Sequence, residues 1–122
     1  MKTIVHTVHH ASQRYDTLGD WEFGNGTLVV TVSDTGDPRM NFLIALHEQI
    51  EAMLCMHRGI PEPEVYAFDV ANADLDDPGS SPKAPYHKEH VFSENIERLV
   101  AAELGVNWAA YGDACEKTWG GK

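Results

Sequence analysis

The chain has 122 residues, 43% of them hydrophobic, and carries nineteen Asp and Glu against nine Lys and Arg, for a formal net charge of −10. That length supports one domain around one core and is too short to divide into two. The charge, with no basic run and no basic patch interleaved with aromatics, excludes a surface that follows a nucleic-acid backbone and argues against an anionic membrane, while it favours a cation at a carboxylate-rich site.

Residues 3–10 alternate and are rich in β-branched side chains. They predict a strand with Ile4, His6 and Val8 on one face and Val5, Thr7 and His9 on the other. His6, His9 and His10 read as solvated or hydrogen-bonded histidines rather than ligands. A polar connection over 11–19 leads to Asp20-Trp21-Glu22-Phe23, the turn Gly24-Asn25-Gly26 and a β-branched run over 27–32. This is a hairpin, because Asn-Gly supplies the positive φ angles of a tight turn. Trp21 and Phe23 fall on one face and are expected to pack on the sheet or a helix. Residues 1–36 therefore predict a small antiparallel sheet of about three strands.

The next segment, 38–58, predicts the main helix, with Asp37 as N-cap, Pro38 in the first turn, Gly59 as the stop and Pro61 beyond it. On a helical wheel Leu43, Leu46, Ile50, Met53, Leu54 and His57 form an apolar stripe, and His47 and Glu51 lie one above the other along its flank. An i, i+4 imidazole and carboxylate can share one cation, while Glu48 is turned toward a water held there. Between 60 and 85 the chain is acidic and contains five prolines, so it reads as a functional or mobile loop. Within it, 65–70 is apolar enough to pack as a short helix. Asp69 is assigned to capping or turn duty ahead of metal ligation.

Residues 87–104 predict a second long helix. Its stripe of His90, Glu94, Glu97 and Ala101 runs beside an apolar arc of Phe92, Ile96, Leu99, Val100 and Leu104. Two helices that each carry a His/Glu stripe could meet across a buried polar site. The economical assignment is one Zn²⁺ held by His47, Glu51 and His90, with water in the fourth position and Glu48 as general base. Glu94 is the substitute for His90 as third ligand, and Glu97 would orient a ligating histidine. Tyr86 or His87 could donate to an oxyanion. The tail, 105–122, has a helical pattern over 108–117 in which Trp108 and Tyr111 cover an edge of the core, and 119–122 are expected to fray. The expected class is thus α+β, with the sheet packed on two main helices and a short C-terminal helix.

The helix Phe42-Leu43-Ile44-Ala45-Leu46-His47-Glu48-Gln49-Ile50-Glu51-Ala52, fed by a sheet and followed by a loop and a helix with His90 and Glu94, resembles the small zincin-like metallopeptidases called minigluzincins. It also resembles short phage and prophage proteins with a His-Glu-x-x-Glu-Ala helix. The resemblance spans about 20–104 and its specific part is the first helix. It implies metal ligands at His47 and at the fourth following position, with Glu48 as acid/base. Glu51 stands where that family's second histidine would be, a change that favours harder ions such as Mn²⁺ or Mg²⁺.

The expected function is a metal-dependent, peptidase-like hydrolase acting on a peptide or small molecule. One alternative is a non-enzymatic phage-type binding or inhibitor protein. Another is a Mg²⁺-dependent nucleoside triphosphate pyrophosphohydrolase, because Glu48-x-x-Glu51 with Glu94-x-x-Glu97 resembles the paired acidic motifs of that all-α family. An exposed hairpin edge would permit a homodimer. Two cysteines without a C-x-x-C pair, no secretory leader and no apolar run of membrane-spanning length lead to the expectation of a cytoplasmic protein with reduced thiols.

Overall fold

Alternating β-branched residues build three strands, β1 (Lys2–Val8), β2 (Gly19–Gly24) and β3 (Thr27–Ser33). The structure, a computed structural model, describes residues 1–120, so of the tail expected to fray, Gly121 and Lys122 lie outside the described residues. Asn25 and Gly26 both have positive φ, 51° and 72°, which closes the β2–β3 hairpin with a twist that matches its strands. β3 is the central strand and the most apolar. Leu28, Val30 and Val32 are buried, each contributing about 1.5–3 kcal/mol by leaving water.

The sheet order is β1-β3-β2, with β2 antiparallel and β1 parallel to β3. An N-terminal three-stranded sheet is as expected, but it is mixed rather than wholly antiparallel. Side-chain alternation is the same for either strand direction, so pattern alone leaves the choice to the connection. Here the chain leaves β1 at Val8 through a 3₁₀ turn, His10–Ser12, crosses to β2 and returns as β3 beside β1. His10 is consequently not in a strand, and its ring binds Ser33 Oγ and Asp16 Oδ1, each at 2.9 Å. Trp21 is buried, whereas Phe23, expected to pack, is exposed at the turn end of the hairpin.

α1 (Pro38–His57) lies across β2 and β3, and α3 (His87–Glu103) packs on α1. Asp37 caps α1, accepting from Arg39 N at 2.9 Å, and Gly59 ends it at φ 71°. The buried faces differ from the expected apolar stripes. α1 buries Leu43 of the expected stripe together with Ile44, Glu48, Glu51 and Cys55, and leaves Met53 and His57 exposed. α3 buries Glu89, Ser93, Glu97 and Ala101 and leaves Phe92 and Leu99 exposed. In both helices the carboxylate stripe goes inward, and Glu51, Glu89 and Glu97 each find a cation or hydrogen-bond donor on a neighbouring element, which offsets the loss of water.

The segment 60–85 is less of a loop than its prolines suggest. It contains α2 (Glu62–Ala71), packed on β2, and a 3₁₀ turn, Pro78–Ser80, packed on α3. α4 (Trp108–Thr118) covers α3, capped by Asn107, and Trp119 is tied down by its indole N–H donating to Asp16 at 2.5 Å. No helix among the described residues is long and apolar enough to cross a membrane.

Candidate metal centre

α1 and α3 run antiparallel, pinned at one end by Arg58 donating to the buried Glu89 at 2.7 Å and at the other by Arg39 donating to the Leu104 carbonyl at 3.3 Å. This brings His90, from the first turn of α3, opposite His47 and Glu51 at the middle of α1. Glu51 Oε2 lies 3.0 Å from His47 Nε2 and 3.0 Å from His90 Nδ1, and the two nitrogens are 3.2 Å apart. Three potential ligand atoms thus form a nearly equilateral triangle. A tetrahedral zinc with bonds of about 2.0–2.1 Å sets its ligands about 3.3 Å apart. The donor set, two imidazoles and one carboxylate, also fits that ion.

The far nitrogens of both rings are held by carboxylates. His47 Nδ1 is 2.8 Å from Glu97 Oε1, and His90 Nε2 is 3.1 Å from Asp77 Oδ2. Glu97 is itself fixed by Tyr111, whose hydroxyl donates to Oε2 at 2.5 Å. With those far nitrogens donating, His47 Nε2 and His90 Nδ1 turn lone pairs toward a carboxylate oxygen, an arrangement that needs a proton or a cation at its centre. Without a cation, protons fill that role. Burial pulls the imidazolium forms down, but hydrogen bonds to Glu51 and Glu97 outweigh it at His47, and bonds to Asp77 and Glu51 raise His90 to about 10. Burial pushes Glu51 up, yet its two histidine partners hold it below the usual carboxylate range.

Glu48 differs from Glu51 although both are buried. His47 Nε2 stands 3.9 Å from Glu48 Oε2, and Glu48 accepts no hydrogen bond among the described residues. Burial and the adjacent Glu51 charge raise it well above its ordinary value. Gly19 makes room for it, since a Cβ there would stand 2.6 Å from Glu48 Cγ. Gly79 does the same for His90, whose Nδ1 would lie 2.4 Å from an added Cβ.

Of the candidate residues, then, His47, Glu51 and His90 converge, Glu48 stands beside them, and Glu94 falls outside the triangle. Glu94 is half-buried and groups instead with Asp77 on the far side of His90. The proposed oxyanion donors are engaged elsewhere: Tyr86 donates to Asp69, and the His87 ring pairs with the Gly79 carbonyl at 3.0 Å. Asp69 neither caps nor ligates; it accepts from Tyr86 and, at 2.7 Å, from Tyr15. Asp77 and Tyr111 are the residues that sequence reasoning passed over. Asp77 sits in an acidic run where nothing marks one carboxylate from the next, and the spacing of Tyr111 marks it only as a cover for the core.

The triangle lies in the wall of a cavity of about 400 Å³ that reaches from the 3₁₀ turn to α4. No family model, curated protein or solved structure matches the chain.

Proposed function

We propose that the protein is a cytoplasmic, zincin-like metal-dependent hydrolase with peptidase-like chemistry, in which His47, Glu51 and His90 hold a zinc ion and Glu48 moves the proton. The observation that carries this reading is the triangle of ligand atoms with edges of 3.0, 3.0 and 3.2 Å, each imidazole braced on its far nitrogen by a carboxylate. Two nitrogen donors favour zinc over Mg²⁺ or Mn²⁺ despite the carboxylate that replaces a second helix histidine. Bound there, the cation would polarise a scissile carbonyl and acidify water.

The chain's own part is positional and protolytic. Glu48 takes a proton from water as the water oxygen bonds to the carbonyl carbon, then gives it to the leaving nitrogen as the C–N bond breaks. A carboxylate whose hold on a proton is strengthened by burial is a better base toward water than an exposed one. Its open side faces the cavity, where a substrate carbonyl would have to lie.

Metal analysis of protein prepared without chelator tests the reading. The wild type and Glu48→Gln should retain about one zinc per chain and His47→Ala should lose it; Glu48→Gln should lose about 10²-fold or more of any peptide hydrolysis. Zinc absent from every preparation would overturn it. A second, non-enzymatic reading as a protein-binding module draws on the exposed Phe42, Met53, Phe92 and Leu99 of α1 and α3. The pyrophosphohydrolase reading is disfavoured, because Glu97 is committed to His47 and Tyr111.

A further inference from the structure

The cavity beside the triangle has two chemically distinct walls. One is acidic. Beyond the triangle itself, Asp69 of α2, Asp76 and Asp77 of the loop that follows it, and Glu94 of α3 all line the space, and no lysine or arginine among the described residues does. The other wall is apolar and largely aromatic, formed by Leu18, Ile44, Trp108, Tyr111, Cys115 and Trp119. Between them Glu48, 9% exposed and without a hydrogen bond among the described residues, faces the same space.

Charge decides what such a cavity admits. A divalent cation at the triangle cancels two of the negative charges, and the remaining carboxylates keep the field negative. Phosphates and substrate carboxylates are repelled, and a cation is drawn in. The aromatic wall offers an apolar side chain a surface on which to leave water.

We propose that the site takes a cationic peptide substrate, one that carries a protonated amine close to a large apolar side chain, the side chain seated against α4 and the amine facing Asp76, Asp77 and Glu94. This rests on the zinc reading above and adds the substrate class to it. The same field gives a reason for the acidic loop, in which Asp77 meets His90 while Asp76 adds a further negative charge to the cavity.

Hydroxamates, which bind zinc through one common head group, test the class without relying on turnover. The probes are phenylalanine hydroxamate, its N-acetyl and N-succinyl derivatives, and acetohydroxamate, titrated into zinc-loaded protein at pH 7 by calorimetry. Expected affinities fall about tenfold at each step from the cationic to the neutral to the anionic probe. Acetohydroxamate should be weaker than the N-acetyl compound for want of a side chain, and the charge series should contract in 0.5 M salt (about a 4 Å screening length). Asp76→Lys, on an exposed residue, should narrow the cationic preference. Equal affinities across the charge series, tightest binding of the anionic probe, or no binding of any probe to protein with confirmed zinc would overturn the proposal and leave the metal centre standing. Failure of the wild type to take up zinc would end both.

Discussion

At the scale of single residues, the site depends on carboxylates that have different tasks because their neighbours differ. Glu51 has two imidazoles on one oxygen, Glu97 has one imidazole and a phenol, and Glu48 has neither. Asp77 touches the triangle only through His90, and its side chain is about half exposed. Asp77→Ala should therefore leave the fold intact and weaken zinc binding by about 10–100-fold in competition titrations. Asp69 is a case of burial overriding hydrogen bonds. Loss of water raises it from 3.8 to about 6, against the pull of Tyr86 and Tyr15. The folded chain then binds this proton more readily than the unfolded chain, so the stabilisation is full below about pH 4 and is lost as pH rises through 6. That amounts to at most about 3 kcal/mol by pH 7. Urea unfolding between pH 4 and 7 should show Asp69→Asn lacking this decline, and identical slopes in both proteins would refute the assignment.

At the scale of elements, two glycines decide whether α1 and α3 can present their side chains. Gly79, in the 3₁₀ turn Pro78–Ser80, lies so close to the His90 ring that an added methyl carbon would fall 2.4 Å from Nδ1. The obstruction is aimed at the candidate ligand atom rather than at a flexible chain end. Gly79→Ala should displace the imidazole and lower zinc affinity by about tenfold or more, with a circular dichroism spectrum like that of the wild type. Unchanged affinity would mean that the turn yields instead. α1 itself is bounded by local signals, Asp37 at its start and Gly59 at its end. Its rotation about its own axis is not local. The helix turns Glu48 and Glu51 inward because Gly19 leaves room for one and His90 supplies a partner for the other.

Across the whole molecule, the inward turn of both carboxylate stripes gathers negative charge into one cavity and leaves apolar side chains on the outer side of the α1–α3 pair. A folded state that concentrates charge in this way gains from any cation that enters and binds only the folded form. Zinc at about a hundred times its dissociation constant should add about 2.7 kcal/mol of stability. The melting temperature should rise on the order of 10 °C and fall back in chelator. No shift in either direction would mean that the triangle holds protons alone.

Read as a string, the chain determines what neighbours in sequence can settle. The Asn25-Gly26 hairpin, the limits of α1, the second helix, the short C-terminal helix and the i, i+4 placement of His47 and Glu51 all follow from backbone sterics, caps and helical spacing. Only the tertiary structure decides which way β1 runs, which face each helix buries, and that Asp77 and Tyr111 belong to the same cluster as His47. The reason is energetic. A wheel ranks faces by apolarity, and by that rule Met53 and Leu99 should be inside and Glu51 and Glu97 outside. A buried carboxylate is tolerable once a partner from another element meets it; Glu51 and His90 stand 39 positions apart, and their meeting, expected from the two stripes, is made by the packing of α1 on α3.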